Sequence, residues 1–486
     1  MVRARVAKAT FEMCDVPKVA FATRTATGPT DRTDPKHELC TMECSRSGRI
    51  RVRMGGTSTR RKIMVSSASA RNPLWHPFAD MGAVDGDRLV ITRGEGSYVW
   101  DDQGNRYFDA TASLWYANFG HGREEIVQAV ADQLRTLDSY NLFGYNANEP
   151  ALKLAERVSA LAPEPGSKVF FGSGGGDVID TAVKIARSYF AHTGRPEKVH
   201  VIGRVQGYHG THGFGTAVGG IAANAAGFGP LPGDISHVPY DSAEALEAEI
   251  LRVGPERVAA FFCEPVIGAG GVLLPPDGYI ETVAEICRRH DVLFVADCVI
   301  AAFGRLGTWF GIDRWAVKPD MITTAKGITG GTIPLGALIV APRVAEPFFT
   351  GSPGAPVLRH GATYAGHPVA CAAGNATLDI YERDGLIPRG RELEKPLADA
   401  LSGLASHPLV AEVRAGLGFL GAVELKAEVI EANPGAANRL QRLARDEGVL
   451  VRNLAKGIAV SPPLIAGEAE LDLLTTALPR ALDKLV

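Results

Sequence analysis

At 486 residues, with 46% hydrophobic and 22% charged positions, the chain has the composition of a folded globular protein and is too long for one ordinary core. Its formal net charge of −3 gives no overall reason to bind nucleic acid or an anionic membrane, and no apolar run reaches the roughly twenty residues of a membrane-spanning helix. The near-neutral total conceals an asymmetry, because residues 1–64 carry 14 Lys and Arg against 6 Asp and Glu.

That basic segment lacks a hydrophobic period and holds three of the seven cysteines, Cys14, Cys40 and Cys44. Residues 1–71 read as a disordered extension: a tail, a targeting segment, or sequence upstream of a start at Met64. A metal site at Cys40 and Cys44 has no evident further ligands, so no metal is expected. Cys263, Cys287, Cys298 and Cys371 are scattered through apolar segments. They read as buried thiols of a reducing compartment, which places the protein in the cytoplasm.

Ordered structure is expected from about Asn72. Short runs at 89–92, 97–100 and 106–109, with a tight turn at Gln103-Gly104-Asn105, predict a small antiparallel meander. From Arg123 the period becomes helical, with Ile126, Val127, Val130 and Leu134 on one face, and a second helix is predicted over 149–161. Apolar runs at 168–171, 199–202, 258–263, 292–296, 321–324 and 335–340 then alternate with predicted helices at 177–191, 243–253 and 278–290. Continuous apolar strands between helices predict a mostly parallel sheet covered on both faces, with ligands bound at the strands' carboxyl ends. A helix at 367–382 precedes further strand and helix segments from Arg391 onward. The domain boundaries that follow are 72–122 for the first part of a small domain, 123–385 for a large domain, and 386–486 for the rest of the small one.

Two predicted strands end in a charge. The run at 292–296 leads into Asp297, and the run at 321–324 leads through Ala325 into Lys326-Gly327. A lysine amine can form an imine with an aldehyde cofactor, and a carboxylate can keep a pyridine nitrogen protonated. Taken singly, Lys326 also fits a solvated strand end and Asp297 a helix cap; the surrounding motifs favour the chemical reading. Gly172-Ser173-Gly174-Gly175-Gly176-Asp177 runs from a strand into a helix, where inward amides and the helix terminus suit a phosphate. A dinucleotide site uses a similar turn, but its last glycine and its ribose-binding acid are missing here.

With these pieces in order, the chain from about residue 73 to 486 resembles the class III aminotransferases, fold type I enzymes that use pyridoxal 5′-phosphate. The resemblance is carried by Glu264-Pro265-Val266-Ile267-Gly268, by Asp297-Cys298-Val299-Ile300-Ala301-Ala302-Phe303-Gly304-Arg305, by Ala325-Lys326-Gly327 and by Thr363-Tyr364-Ala365-Gly366-His367-Pro368. It implies an α/β fold whose large domain holds a mostly parallel seven-stranded sheet, with a smaller α+β domain built from both ends of the chain. It also implies a homodimer with active sites shared across the interface.

Residue by residue, the resemblance makes Lys326 the Schiff-base lysine and Asp297 the partner of the ring nitrogen. Tyr208-His209-Gly210 resembles the segment that stacks on the cofactor, with Tyr208 on one ring face and Val299 on the other. Gly175 and Gly176 would give backbone amides to the phosphate, and Thr363 would reach the phosphate of the other subunit. Trp115 of Leu114-Trp115-Tyr116, Tyr208, Glu264 and Arg452 would line the substrate site, joined by Phe143 and Tyr145. Arg452 matches a mobile arginine that clamps a substrate carboxylate, a bidentate fit for guanidinium; its bland reading is a surface ion pair.

Three stretches depart from the family's pattern. The cradle is usually Ser-Gly-Ser-Glu, where this chain has Gly174-Gly175-Gly176-Asp177, so a phosphate hydroxyl donor is missing and Ser173 or water would have to replace it. Cys298 stands where glutamate is frequent, and Ile267 where glutamine is. The implied activity is transfer of an amino group from a primary amine or ω-amino acid to pyruvate or a similar keto acid. An aminomutase, a decarboxylating relative and a cofactor binder without turnover share the same lysine and aspartate.

Overall fold

Valine, isoleucine, phenylalanine and alanine dominate six runs, the composition of strands covered on both faces. The computed structural model, which describes residues 42–44, 50–52, 73–84, 87–350 and 356–485, assembles them into one sheet. Its strands are β1 (Lys168–Gly172), β2 (His200–Arg204), β3 (Ile235–Val238), β4 (Val258–Cys263), β5 (Leu293–Asp297), β6 (Met321–Thr324) and β7 (Gly336–Val340). They lie in the order β1-β7-β6-β5-β4-β2-β3. Only β7 runs against its neighbours, pairing antiparallel with both β6 and β1. All six residues of β4 and all five of β5 are buried, as strands covered on both faces require.

Helix α1 (Gly175–His192) follows β1 directly and buries one face against the sheet through Val178, Ala182, Ile185 and Ala186. The helices expected at 149–161 and 243–253 occur as Glu149–Leu161, capped by the Asn148 side chain, and Ala243–Val253, capped by Ser242. The sequence reading missed β3. Its residues Ile-Ser-His-Val are short and half polar, which an edge strand tolerates because it pairs only with β2.

A four-stranded sheet joins the two ends of the chain. The meander Ile91–Glu95, Tyr98–Asp101 and Arg106–Asp109 is antiparallel, and Val449–Leu450 adds to its last strand in parallel. A second four-stranded sheet is made from Val410–Arg414, Gly421–Leu425, Gly457–Val460 and Arg452–Leu454. This is the mixed α/β architecture of fold type I, with a mostly parallel seven-stranded sheet and a smaller part built from both chain ends.

By contacts the chain divides into Met1–Gly86 and Asp87–Val486. The first unit contains a two-stranded antiparallel ladder, Met42–Cys44 with Ile50–Val52, and a short helix at Met81–Val84. Otherwise the expectations for residues 1–71, including the Cys40 and Cys44 side chains, lie outside the described residues. Among those described, no helix is long and apolar enough to cross a membrane.

Candidate active site

Five strands deliver functional groups to one edge of the large sheet. β1 leads into the glycine turn, β2 into the loop of Tyr208 and His209, β4 into Glu264, β5 ends in Asp297, and β6 leads into Lys326. Gly175, Gly176, Tyr208, His209, Glu264, Asp297, Val299 and Lys326 all line a single cavity of about 360 Å³. That volume falls in the range of small-molecule sites. The edge is the carboxyl one, where an open α/β sheet leaves a crevice because its strands diverge into loops.

Asp297 is 4% exposed and held from three directions. His209 Nδ1 lies 2.7 Å from Oδ2, while the Val299 backbone N–H and the Thr323 hydroxyl each donate to Oδ1 at 3.1 Å. Thr323 is the register partner of Asp297 on β6, so sheet pairing itself sets that bond. His209 is buried behind the carboxylate, edge-on to Phe262, and its Nε2 has no protein partner.

Lys326 follows at the end of β6 with φ +48°, in the left-handed region that ordinary residues avoid. Strain of this kind persists only where surrounding packing imposes it. Here it turns the side chain out of the strand and into the cavity. Burial pushes the amine's pKa down; the Asp297 and Glu264 carboxylates pull the other way, and the Arg452 guanidinium lowers it further. Glu264 is itself pushed up by burial. Its two oxygens accept the Tyr208 N–H at 2.9 Å and the Gly268 N–H at 3.0 Å, so it ties the Tyr208 loop to the turn after β4.

The anion end is the first turn of α1, whose leading amides have no intrahelical acceptor and carry the positive end of the helix dipole. The Asp177 side chain closes the preceding turn by accepting the Ser173 N–H at 2.7 Å. Gly210 (φ +90°) brings the Tyr208 loop against this turn so closely that a Cβ there would lie 2.7 Å from Gly176 Cα.

Five of the expected residues are not on the wall of this cavity. Trp115 is buried with its ring against Gly268, where an added Cβ would meet the indole at 2.4 Å; its neighbour Tyr116 faces the cavity instead. That exchange comes from an unusual backbone, with positive φ at Ala112, Ser113 and Trp115. The turn is pinned by Asp109, which accepts the Ser113 N–H at 2.6 Å and lies 2.8 Å from His121 Nε2. Arg452 is exposed on its short strand and makes no ion pair among the described residues, although its charge reaches Lys326 and Tyr208. Thr363 is exposed on the segment before Pro368–Arg383 and is not on this chain's cavity wall, and neither are Phe143 and Tyr145. Ile267 is also off the wall, buried in a bridge with Leu273.

Arg305 stands in the motif around Asp297, but the sequence assigned it no role. It is fully buried, donating to the carbonyls of Phe419 and Pro462 at 2.7 Å each and to Asn118 Oδ1 at 2.8 Å. With no carboxylate bonded to it, burial brings its pKa down to about 10. A basic residue amid Ala-Ala-Phe-Gly and Leu-Gly was the available signal. Thr323 was missed too; hydroxyls in an otherwise apolar central strand, just before the lysine, could have revealed it.

An amine and a carboxylate at neighbouring strand ends, facing a helix-borne anion cradle, define the site of a pyridoxal-phosphate-dependent transferase. The aminotransferase class-III family model matches residues 81–482. The chain is 38% identical to a putrescine–pyruvate aminotransferase of Pseudomonas aeruginosa, over 89% of this chain and 98% of that one. It is 35% identical to a β-alanine–pyruvate aminotransferase of the same organism, over 86% and 97%. Among solved structures it matches an (S)-enantioselective omega-transaminase from Thermomicrobium roseum at TM-score 0.81 and 36% identity, covering 85% of this chain and 96% of that one. An omega transaminase of Pseudomonas jessenii in complex with PMP gives TM-score 0.80 and 35% identity, with the same coverage. The chain belongs to the class III aminotransferases, and its cofactor is pyridoxal 5′-phosphate.

The residues present fit that group. The Lys326 amine has no hydrogen-bond partner among the described residues, and Asp297, held by three groups, lines the same cavity. Gly175 packs directly on Val299, where an added Cβ would lie 3.1 Å from the valine methyl, so both residues form one continuous stretch of the cavity wall.

Proposed function

We propose that this aminotransferase moves an amino group from a primary amine or ω-amino acid to pyruvate or a similar keto acid. The convergence of Lys326 and Asp297 on one cavity carries the reading, and relatives named for pyruvate support the acceptor. When bound, the cofactor supplies an electron-withdrawing pyridine ring to which the substrate nitrogen is joined. Asp297 holds a proton at the ring nitrogen, kept in place by His209, Val299 and Thr323. The Lys326 amine would serve as the base that takes the proton from the substrate carbon bearing nitrogen; its lowered pKa keeps the neutral, basic form accessible. Gly175 and Gly176 would hold the phosphate through their amides, and Tyr208 and Val299 would hold the ring. Glu264 orients Tyr208 through its backbone, and Tyr116 shares the substrate wall that Trp115 supports from behind.

Arg452 binds the carboxylate of the keto acid and swings away for an uncharged amine, a role suited to an exposed guanidinium with no fixed partner. The division at 122/123 and 385/386 belongs to the same reading, supported by the pairing of Val449–Leu450 with Arg106–Asp109. So does a homodimer in which Thr363 serves the neighbouring site; an exposed threonine beside exposed Tyr364 and Phe143 supports that. Cytoplasmic residence is supported by four free, buried thiols.

The test is a panel of amine donors against pyruvate and 2-oxoglutarate, combined with borohydride reduction and peptide mapping. The label is expected on Lys326, with turnover for at least one ω-amine and pyruvate. A label on another residue, or no amino transfer with any pair, refutes the reading; release of carbon dioxide or an isomeric product would replace it with a decarboxylase or mutase.

A further inference from the structure

The cradle of this chain is poor in side-chain donors. Gly174, Gly175 and Gly176 are consecutive, so the first turn of α1 offers a phosphate only backbone amides. A phosphate has more acceptor positions than a few amides can fill, and its charge favours a further donor that can itself carry charge.

One side chain of the same cavity meets that need. His212 lines the wall with Ser173 and the three glycines. A Cβ built on Gly176 would lie 3.5 Å from His212 Cγ and Cδ2 and 3.7 Å from Nδ1. The imidazole therefore occupies the space into which any side chain at position 176 would project. Neither ring nitrogen has a partner among the described residues.

The backbone that carries the ring is fixed to the cradle's own helix. Asp180 on α1 accepts the Gly215 N–H at 2.8 Å and the Phe214 N–H at 3.4 Å, and the His212 carbonyl accepts the Thr216 N–H at 2.8 Å. Asp177 and Asp180, the acids in the first two turns of α1, are both engaged by backbone amides, Asp177 by that of Ser173 and Asp180 by that of Gly215. The ring is thus held beside the anion end of the cavity with its nitrogens unspent.

We propose that His212 is a phosphate-binding residue of this chain, its imidazole donating to the cofactor phosphate in place of the side-chain donor that the glycine turn lacks. The inference rests on the cofactor site described above and extends it to a residue outside the family motifs. No proton is transferred and no bond is made or broken; the ring acts as a donor only.

The test compares binding of pyridoxal 5′-phosphate with binding of pyridoxal, which lacks the phosphate, to cofactor-stripped protein, followed by absorbance. His212→Ala is expected to weaken the phosphorylated form about tenfold or more, the scale of a hydrogen bond to a charged group. Binding of pyridoxal should be unchanged, and His212→Gln should recover part of the loss. An unchanged affinity in His212→Ala overturns the proposal. So does an equal loss for both ligands, which would mark a merely structural role, or a loss found only in Ser173→Ala. Failure of the wild-type chain to take up pyridoxal 5′-phosphate would instead refute the cofactor reading, and this inference with it.

Discussion

Asp297 and Arg452, the charges to which the proposed function gives chemistry and selectivity, are built on opposite plans. Asp297 is buried, and three groups from the loop after β2, the turn after β5 and strand β6 fix its two oxygens. Arg452 is exposed on a three-residue strand and has no ion pair among the described residues. Where charge must be stabilised at one defined atom, the groups are positioned beforehand, which spares reorganisation during reaction. Where unlike substrates must be accepted in turn, the side chain is left free to move. In the proposed function, chemistry is set at the rigid residue and selectivity at the loose one.

Removing the amine should break the rigid arrangement most severely. Lys326→Ala is expected to lower kcat by at least about 10³-fold, near the upper range for a positioned proton-transfer group, and to abolish borohydride labelling. Asp297→Asn should cost about 10²- to 10³-fold in kcat while the protein still binds cofactor, read by absorbance. A smaller, selective loss is expected at the loose residue. Arg452→Ala should raise KM for pyruvate by about tenfold or more and leave KM for an uncharged amine unchanged; equal effects on both would erase the contrast drawn here.

Glu264→Gln keeps one oxygen acceptor but places an amide N–H2 where the second N–H must be received. A loss of about 1–2 kcal/mol in unfolding free energy is expected, measured by denaturant titration. The mildest test is pH. Because burial lowers the Lys326 pKa, its neutral form accumulates as pH rises through a value below that of ordinary lysine. In cofactor-stripped protein the unfolded chain then binds more protons than the native one between that value and about 10.4, so the Lys326 contribution to stability rises with pH there. Lys326→Met should remove this component of the slope, seen as a flatter melting-temperature profile.

The sheet was legible because its central strands are continuous apolar runs, and the two reactive groups because they stand where such runs stop. Neighbouring placement of Asp297 and Lys326 follows from β5 and β6 being adjacent, which the spacing suggests and the register confirms. What escaped depends on partners distant in sequence. The contact of His209 with Asp297 spans 88 positions, and no local pattern announces it. Tyr116 was passed over for Trp115 because a run of positive φ values turns the peptide round, and no glycine marks that turn. The edge strand β3 has too few apolar residues to stand out from a loop. His212 lies just beyond a recognisable motif, with only its proximity to Gly176 to reveal it.

Arg305 has one consequence for how the molecule is made. The terminal nitrogens of its guanidinium donate to oxygens of Asn118, Phe419 and Pro462, so one acceptor precedes it in the chain and two follow far downstream. During synthesis the cation must be swallowed by the interior or wait in water until the later acceptors leave the ribosome. The loop after β5 therefore cannot settle vectorially, and chains truncated before Pro462 should remain protease-sensitive at Arg305 even with every strand of the large sheet already translated.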